Sequence, residues 1–165
     1  MTLIAIDGPA GAGKTTLAAK FFQALSADKS VVVIHMDDLY DGWDNALSDA
    51  LTSTLAEIVQ AYKTASVFTI SIFNWATMAF DSTRSFQPSD IMIIEGVGAG
   101  QKVVRDAGAT LYWLDIEPEL GLTRTLQRDG FEIESQMRRW QIAQDAHFVA
   151  DATRMHADHI ITSQA

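Results

Sequence analysis

The sequence predicts an α/β fold of three layers, a mainly parallel sheet of about five strands with helices on both faces. Short apolar runs alternate along the chain with longer stretches whose apolar residues recur every three to four positions. Strands alternating with helices are joined by crossover connections, which call for a mainly parallel sheet covered on both faces. The third observation is size. A chain of 165 residues, 48% hydrophobic and 20% charged, suits one domain (1–165) with a real core, and no repeat or linker divides it.

The elements follow in order. "TLIAID" (Thr2 to Asp7) reads as a buried strand that ends at glycine, and residues 13–27 carry Leu17, Phe21, Phe22 and Leu25 at helical spacing. Ser30 to Met36 is β-branched and apolar, a second strand. Residues 45–64 place Leu47, Leu51, Leu55, Ile58 and Tyr62 on one face of a long amphipathic helix. Ser66 to Phe73 alternates as a strand, suited to an edge. Asp90 to Gly96 and Ala109 to Ile116 are further buried strands. Residues 117–130 form a helix with Pro118 near its start and Gly130 just past its end. Residues 135–155 are a second long helix, and 156–164 hold a closing strand.

Composition narrows the chemistry. There is no cysteine, so disulfides, zinc-thiolate sites and thiol catalysis are excluded. The net charge of −9 opposes non-specific nucleic-acid binding, which needs a basic surface. No apolar run approaches the roughly 20 residues of a membrane span, and "MTLIAIDG" lacks the basic lead of a secretory signal. The expectation is a cytoplasmic protein, monomer or homodimer, acting on a small molecule without nucleic-acid or membrane partners.

The strongest motif is "GPAGAGKTT", Gly8 to Thr16, with Gly8, Gly13, Lys14 and Thr15 at the spacing G-x-x-x-x-G-K-[ST]. Glycines let successive backbone N–H groups turn inward as an anion nest, and the following helix adds its positive end. Lys14 supplies a cation for β- and γ-phosphates, and the Thr15 hydroxyl is a Mg²⁺ ligand. Gly8, Pro9, Ala10, Gly11, Ala12, Gly13, Lys14, Thr15 and Thr16 are therefore the expected nucleotide-binding residues of a P-loop NTPase sandwich.

Acidic partners follow at strand ends, where ligands gather in open α/β sheets. Asp37 and Asp38 come directly after the second strand; one of them can take a proton from a hydroxyl or help hold Mg²⁺, and the plainer reading is a polar turn. "IMIIE" ends at Glu95, a further Mg²⁺ candidate or simply an acid at a strand end. Gly96, Gly98 and Gly100 suit either close approach to a ligand or a flexible turn.

Five of the seven arginines lie between Arg124 and Arg154. Arg124 and Arg128 share a helix face, and Arg138 and Arg139 open the next helix. They fit either a lid around 129–140 that stabilises a moving phosphoryl group, or a solvated face paired with Asp129, Glu132 and Glu134. Tyr40, Trp43, Phe73 and Trp75 suit a ring-stacking pocket or aromatic core. Trp113 reads as core, and His156 and His159 as surface residues.

Taken together, "GPAGAGKTT", "MDDLYDGW", "FNWA", "IIEGVGAG" and "RTLQRDG…RRWQIAQDAHFVADATR" make the chain resemble the uridine kinase-like branch of the P-loop kinases over most of its length. The resemblance implies ATP as donor with Mg²⁺, Asp37 as general base, Lys14 on the phosphates, and Thr15 and Glu95, with Asp37, around the metal. It implies Arg124 and Arg128 as lid-side arginines near the phosphates, Arg124 also touching the nucleotide. Asp38, Tyr40, Trp43, Asn74, Trp75 and Arg138 are the expected substrate contacts. Phe73-Asn74-Trp75 departs from the Tyr-Asp-aromatic segment of relatives, and the section before Glu95 is short.

The leading expectation is a kinase moving the γ-phosphate of Mg·ATP to a hydroxyl of a nucleoside such as uridine or cytidine. A nucleoside monophosphate kinase is the first alternative, although only Lys63 and Arg84 supply cations between Asp44 and Asp90. The second is an ATP-binding switch; a guanine-reading Asn-Lys-x-Asp motif is not in the sequence.

Overall fold

A computed structural model describes residues 1–162. Its centre is β1 (Thr2–Asp7), whose apolar residues point alternately to the two faces of the sheet. Parallel pairing joins β1 to β5 (Ile91–Glu95) on one side and to β6 (Thr110–Asp115) on the other. β2 (Val31–His35) pairs with β5 and β7 (His159–Thr162) with β6, giving the all-parallel order β2-β5-β1-β6-β7.

Period-two alternation explains the two core layers. Ile4 and Ile6 of β1 and Ile91 and Ile93 of β5 pack with Leu114 under α1 (Lys14–Leu25), which contributes Ala18, Leu17 and Phe21. Leu3, Ala5, Met92 and Ile94 face the other way, toward α2 (Asp49–Lys63), α4 (Pro118–Asp129) and α5 (Glu134–Asp151). α2 supplies Leu51, Leu55, Ile58, Val59 and Tyr62 to that layer. A short helix, α3 (Lys102–Asp106), links β5 to β6. No helix among the described residues is long and apolar enough to cross a membrane.

Tyr62 closes the end of the sheet, its hydroxyl donating to the carbonyls of Thr2 and Asp90 at 2.9 Å each. Tyr62→Phe removes both bonds without opening a cavity. It is expected to lower stability by about 1 kcal/mol, read as a shift of the urea midpoint with an unchanged slope.

The structure corrects the sequence reading between the second strand and Glu95. The strand expected from Ser66 is β3 (Phe68–Asn74), and it lies outside the main sheet. It pairs antiparallel with β4 (Ala79–Phe86) as a separate two-stranded hairpin. β4 escaped the sequence reading because all its residues but Phe86 are exposed, so no apolar alternation marks it. Stacked Phe68 and Phe86 rings, 5.1 Å apart, and a 2.7 Å Thr69–Ser85 hydroxyl bond hold the pair together. α2 begins at Asp49 rather than at residue 45. The closing strand covers 159–162; the rest of its expected range, residues 163 and 164, lies outside the described residues.

Candidate active site

Because β5 lies between β2 and β1, the carboxyl ends of these three strands are neighbours. In register, Glu95 is opposite both Ile6 and His35. The loop after β1, the turn after β2 and the end of β5 therefore meet at one edge of the sheet, where the sequence put its candidate residues.

The phosphate loop runs from Gly8 into α1, and its glycines are needed for two reasons. Gly8 (φ 137°) and Gly11 (φ 79°) have left-handed backbone, and a Cβ on Gly11 would fall 2.2 Å from the Gly121 carbonyl oxygen. α4 thus docks backbone to backbone on the loop; reciprocally, a Cβ on Gly121 would sit 2.6 Å from the Ala10 oxygen. Alanine at 121 favours a helix by about 1 kcal/mol, whereas overpacking costs about 1–3 kcal/mol. The clash should win or draw on stability and shift α4, which carries Arg124 and Arg128. Gly121→Ala is expected to weaken nucleotide binding severalfold and to lower the melting temperature by up to about 8 °C, measured by titration calorimetry and thermal unfolding.

Lys14 is 8% exposed, and its Nζ donates to the carbonyls of Gly8 (2.7 Å) and Pro9 (2.8 Å). Burial lowers its pKa, while Asp7, Glu95 and Asp37 oppose that shift. Thr15 and Thr16 are exposed at the mouth of the loop, and Pro9, Ala10 and Gly11 half-exposed. The Thr15 hydroxyl donates to both Glu95 oxygens, at 3.1 and 3.2 Å.

Asp37 lies in a 3₁₀ turn, Met36–Asp38, directly after β2. Its residue surface is open to solvent, yet the protein around its carboxyl raises the pKa by desolvation, and Glu95 adds to the rise. Lys14, Arg128 and His35 pull the other way, so these charges share one field. Arg128 forms a two-pronged pair with Asp129, both contacts 2.6 Å, and remains within electrostatic reach of Asp37, Glu95 and Lys14. Arg124 is half-buried one turn earlier on α4.

Oxygen donors suit a hard cation. Thr15 and Glu95 already touch, with Asp37 nearby, which fits a Mg²⁺ ion bound by one or two side chains and by phosphate oxygens. Among the described residues no group of three or more His, Asp or Glu side chains forms a ready cage. His156 and His159 accordingly do other work. His156 Nδ1 bonds the Ala152 carbonyl and His159 stacks on Tyr112.

Several expected substrate contacts have their polar atoms bonded within the protein. Tyr40 is 2% exposed, its hydroxyl donating to the Val97 carbonyl at 2.7 Å, so it braces the loop after β5 from within the core. Asn74 organises the hairpin turn. Its Oδ1 accepts the Ala76 and Thr77 amides and its Nδ2 donates to Asp81. Arg138 is taken up by Glu119 and Glu134 on the exposed side of α4 and α5, the paired-surface reading of that arginine. The Gly98 and Gly100 amides donate to the Asp7 carboxylate, which ties the loop after β5 to the end of β1. The segment 129–140 is exposed only in part, since Met137 and Trp140 are buried.

Trp75, Trp43 and Asp38 stay close to Asp37. The Trp75 indole N–H donates to the Asp37 carbonyl at 3.0 Å, and Trp43 packs edge-on against Trp75 and Trp140. Asp38 pairs with Arg84 of β4 at 3.2 Å, which ties the hairpin to the turn after β2. A groove of about 540 Å³ between α2 and β3 is lined by residues such as Leu51, Ile58 and Phe80 and includes none of the phosphate-loop residues.

Three residues were missed. Asp7 ends β1 fully buried, and His35 Nδ1 contacts Glu95 Oε1 at 2.6 Å, which raises the His35 pKa. Gln144, 3% exposed, accepts the Ala10 amide at 3.0 Å and ties α5 to the phosphate loop. Its spacing from Met137 and Trp140, on one face of the helix, was a usable signal. Strand alternation carries none for His35.

No family model matches the chain. It is 23% identical over 179 residues to a uridine kinase of Lactobacillus johnsonii, covering 96% of this chain and 85% of that one. It superposes on a possible uridine kinase from Bacillus stearothermophilus with a TM-score of 0.70 at 23% identity, covering 97% of this chain and 88% of the other. A shikimate kinase from Bacteroides thetaiotaomicron gives a TM-score of 0.55 at 17% identity, with 98% and 86% covered. In fold and in sequence along nearly its whole length, the chain is similar to the uridine kinase-like P-loop kinases.

Proposed function

We propose that the chain is a small-molecule kinase that transfers the γ-phosphate of Mg·ATP to a hydroxyl of a nucleoside, uridine or cytidine being the first candidates. The observation that carries this reading is the meeting of Lys14, Thr15, Glu95 and Asp37 at adjacent strand ends. The resemblance to a uridine kinase supports the choice of acceptor.

In this reading the phosphate loop holds the nucleotide through its backbone amides and Lys14. A Mg²⁺ ion held by Thr15 and Glu95 would neutralise charge on the β- and γ-phosphate oxygens. Asp37 takes the proton of the acceptor hydroxyl as its oxygen bonds to the γ-phosphorus. The bond from that phosphorus to the β–γ bridging oxygen breaks, and ADP leaves with the electron pair. A raised pKa makes Asp37 a stronger base than an ordinary aspartate. Arg128 and Arg124 stabilise the equatorial oxygens from α4, and the exposed part of 129–140 closes over them as a lid.

The test is ADP formation from Mg·ATP with and without nucleosides, nucleoside monophosphates and small sugars. Stimulation by one acceptor class supports transfer and names the substrate. Slow turnover indifferent to every acceptor would replace this reading with an ATP-driven switch.

A further inference from the structure

Among the described residues, Asp7, Lys14 and Glu95 are the buried charged side chains, and phosphate transfer as proposed uses two of them. Asp7 is the third, with no exposed surface at all. Such a group is kept only where it is satisfied, and Asp7 is satisfied entirely by backbone. Its Oδ1 accepts the amides of Gly8 (2.7 Å) and Gly98 (3.0 Å), and its Oδ2 accepts that of Gly100 (2.8 Å). One donor opens the phosphate loop. The other two lie 91 and 93 residues away, in the loop that directly follows Glu95.

We propose that Asp7 is a positioning residue: it clamps the phosphate loop and the loop after Glu95 into one register, and so sets where Lys14 and Glu95 meet the nucleotide phosphates.

A carboxylate suits this task because both oxygens only accept. Asparagine would keep the shape but offer one accepting oxygen and turn an NH₂ group toward a backbone N–H. The charged and titratable groups facing Asp7 are Lys14 and Tyr40. Tyr40 supports the same loop through Val97. Burial raises the Asp7 pKa to about 6 against the opposing pull of the three amides and Lys14. The clamp is thus charged at neutral pH and loses acceptor capacity as it protonates on acidification.

The effect on turnover rests on the phosphate-transfer reading; the clamp does not. The test is therefore made on the whole chain without an acceptor, using ADP as probe. In Asp7→Asn, ADP affinity should fall about tenfold, the equivalent of one charge-assisted hydrogen bond. Amide hydrogen exchange across 96–101 should accelerate about tenfold or more, with the central strands unchanged. Both effects are required, so the absence of either overturns the proposal. A loss of protection spread evenly over the sheet also overturns it, since that marks a merely structural group. If the variant does not fold, wild-type exchange with and without saturating ADP decides. Slower exchange across 96–101 on adding ADP upholds the coupling of the two loops, and unchanged exchange there refutes it. A failure to detect phosphate transfer would leave these readouts intact.

Discussion

Asp37→Asn is expected to reduce phosphate transfer by about 10²–10⁴-fold, the usual worth of a positioned base, while nucleotide affinity is retained or improved. Asparagine keeps the shape and removes both the proton acceptor and a negative charge close to Glu95. The magnesium dependence separates the two roles suggested for this residue. A base leaves the half-saturating Mg²⁺ concentration unchanged, whereas a metal ligand raises it. Wild-type activity should fall as the pH drops through the Asp37 pKa, which lies above the usual 3.8. Its effect on stability has the opposite sign. Between pH 3.8 and the raised folded-state value the folded chain binds more protons than the unfolded one, so stability declines as pH rises through that window. Asp37→Asn should therefore melt no lower than wild type at neutral pH. A variant that is inactive and equally stable would mark a group kept for chemistry.

Lys14→Met should lower transfer by about 10²–10³-fold, comparable to removing one preorganised donor from a developing charge, and should weaken ATP binding as well. The side chain is buried and its ammonium bonds the Gly8 and Pro9 carbonyls, so it crosses the base of the loop. Phosphate oxygens would compete for those same protons. Methionine preserves the stem and the packing, which separates loss of charge from loss of volume. Its effect should appear in both KM for ATP and kcat, whereas Asp37→Asn should act on kcat alone.

The sheet and its helices were legible because they rest on periodicity. Buried residues of β1 and β5 alternate between two layers, and α2 shows its apolar face as a stripe. The phosphate loop was legible because its glycines answer local backbone demands. What the sequence hid depends on distant partners. β4 is held by pairing with β3 rather than by burial, so its polar residues give no signal. Asn74 and Tyr40 looked like substrate contacts by position along the chain, but their polar atoms are taken up by a hairpin turn and by Val97. Arg138 reads the same on paper as Arg128; only tertiary structure turns one toward Glu119 and keeps the other within reach of Asp37. Asp7 was the reverse case, an acid counted merely as the end of a strand that joins two loops 91 residues apart.

The most direct test of phosphate transfer at this site is the fate of the γ-phosphate. With γ-labelled ATP, Mg²⁺ and the acceptor that best stimulates ADP formation, the account predicts one labelled acceptor phosphate ester per ADP and little free inorganic phosphate. Label recovered entirely as inorganic phosphate, at a rate unaffected by Asp37→Asn, would contradict it.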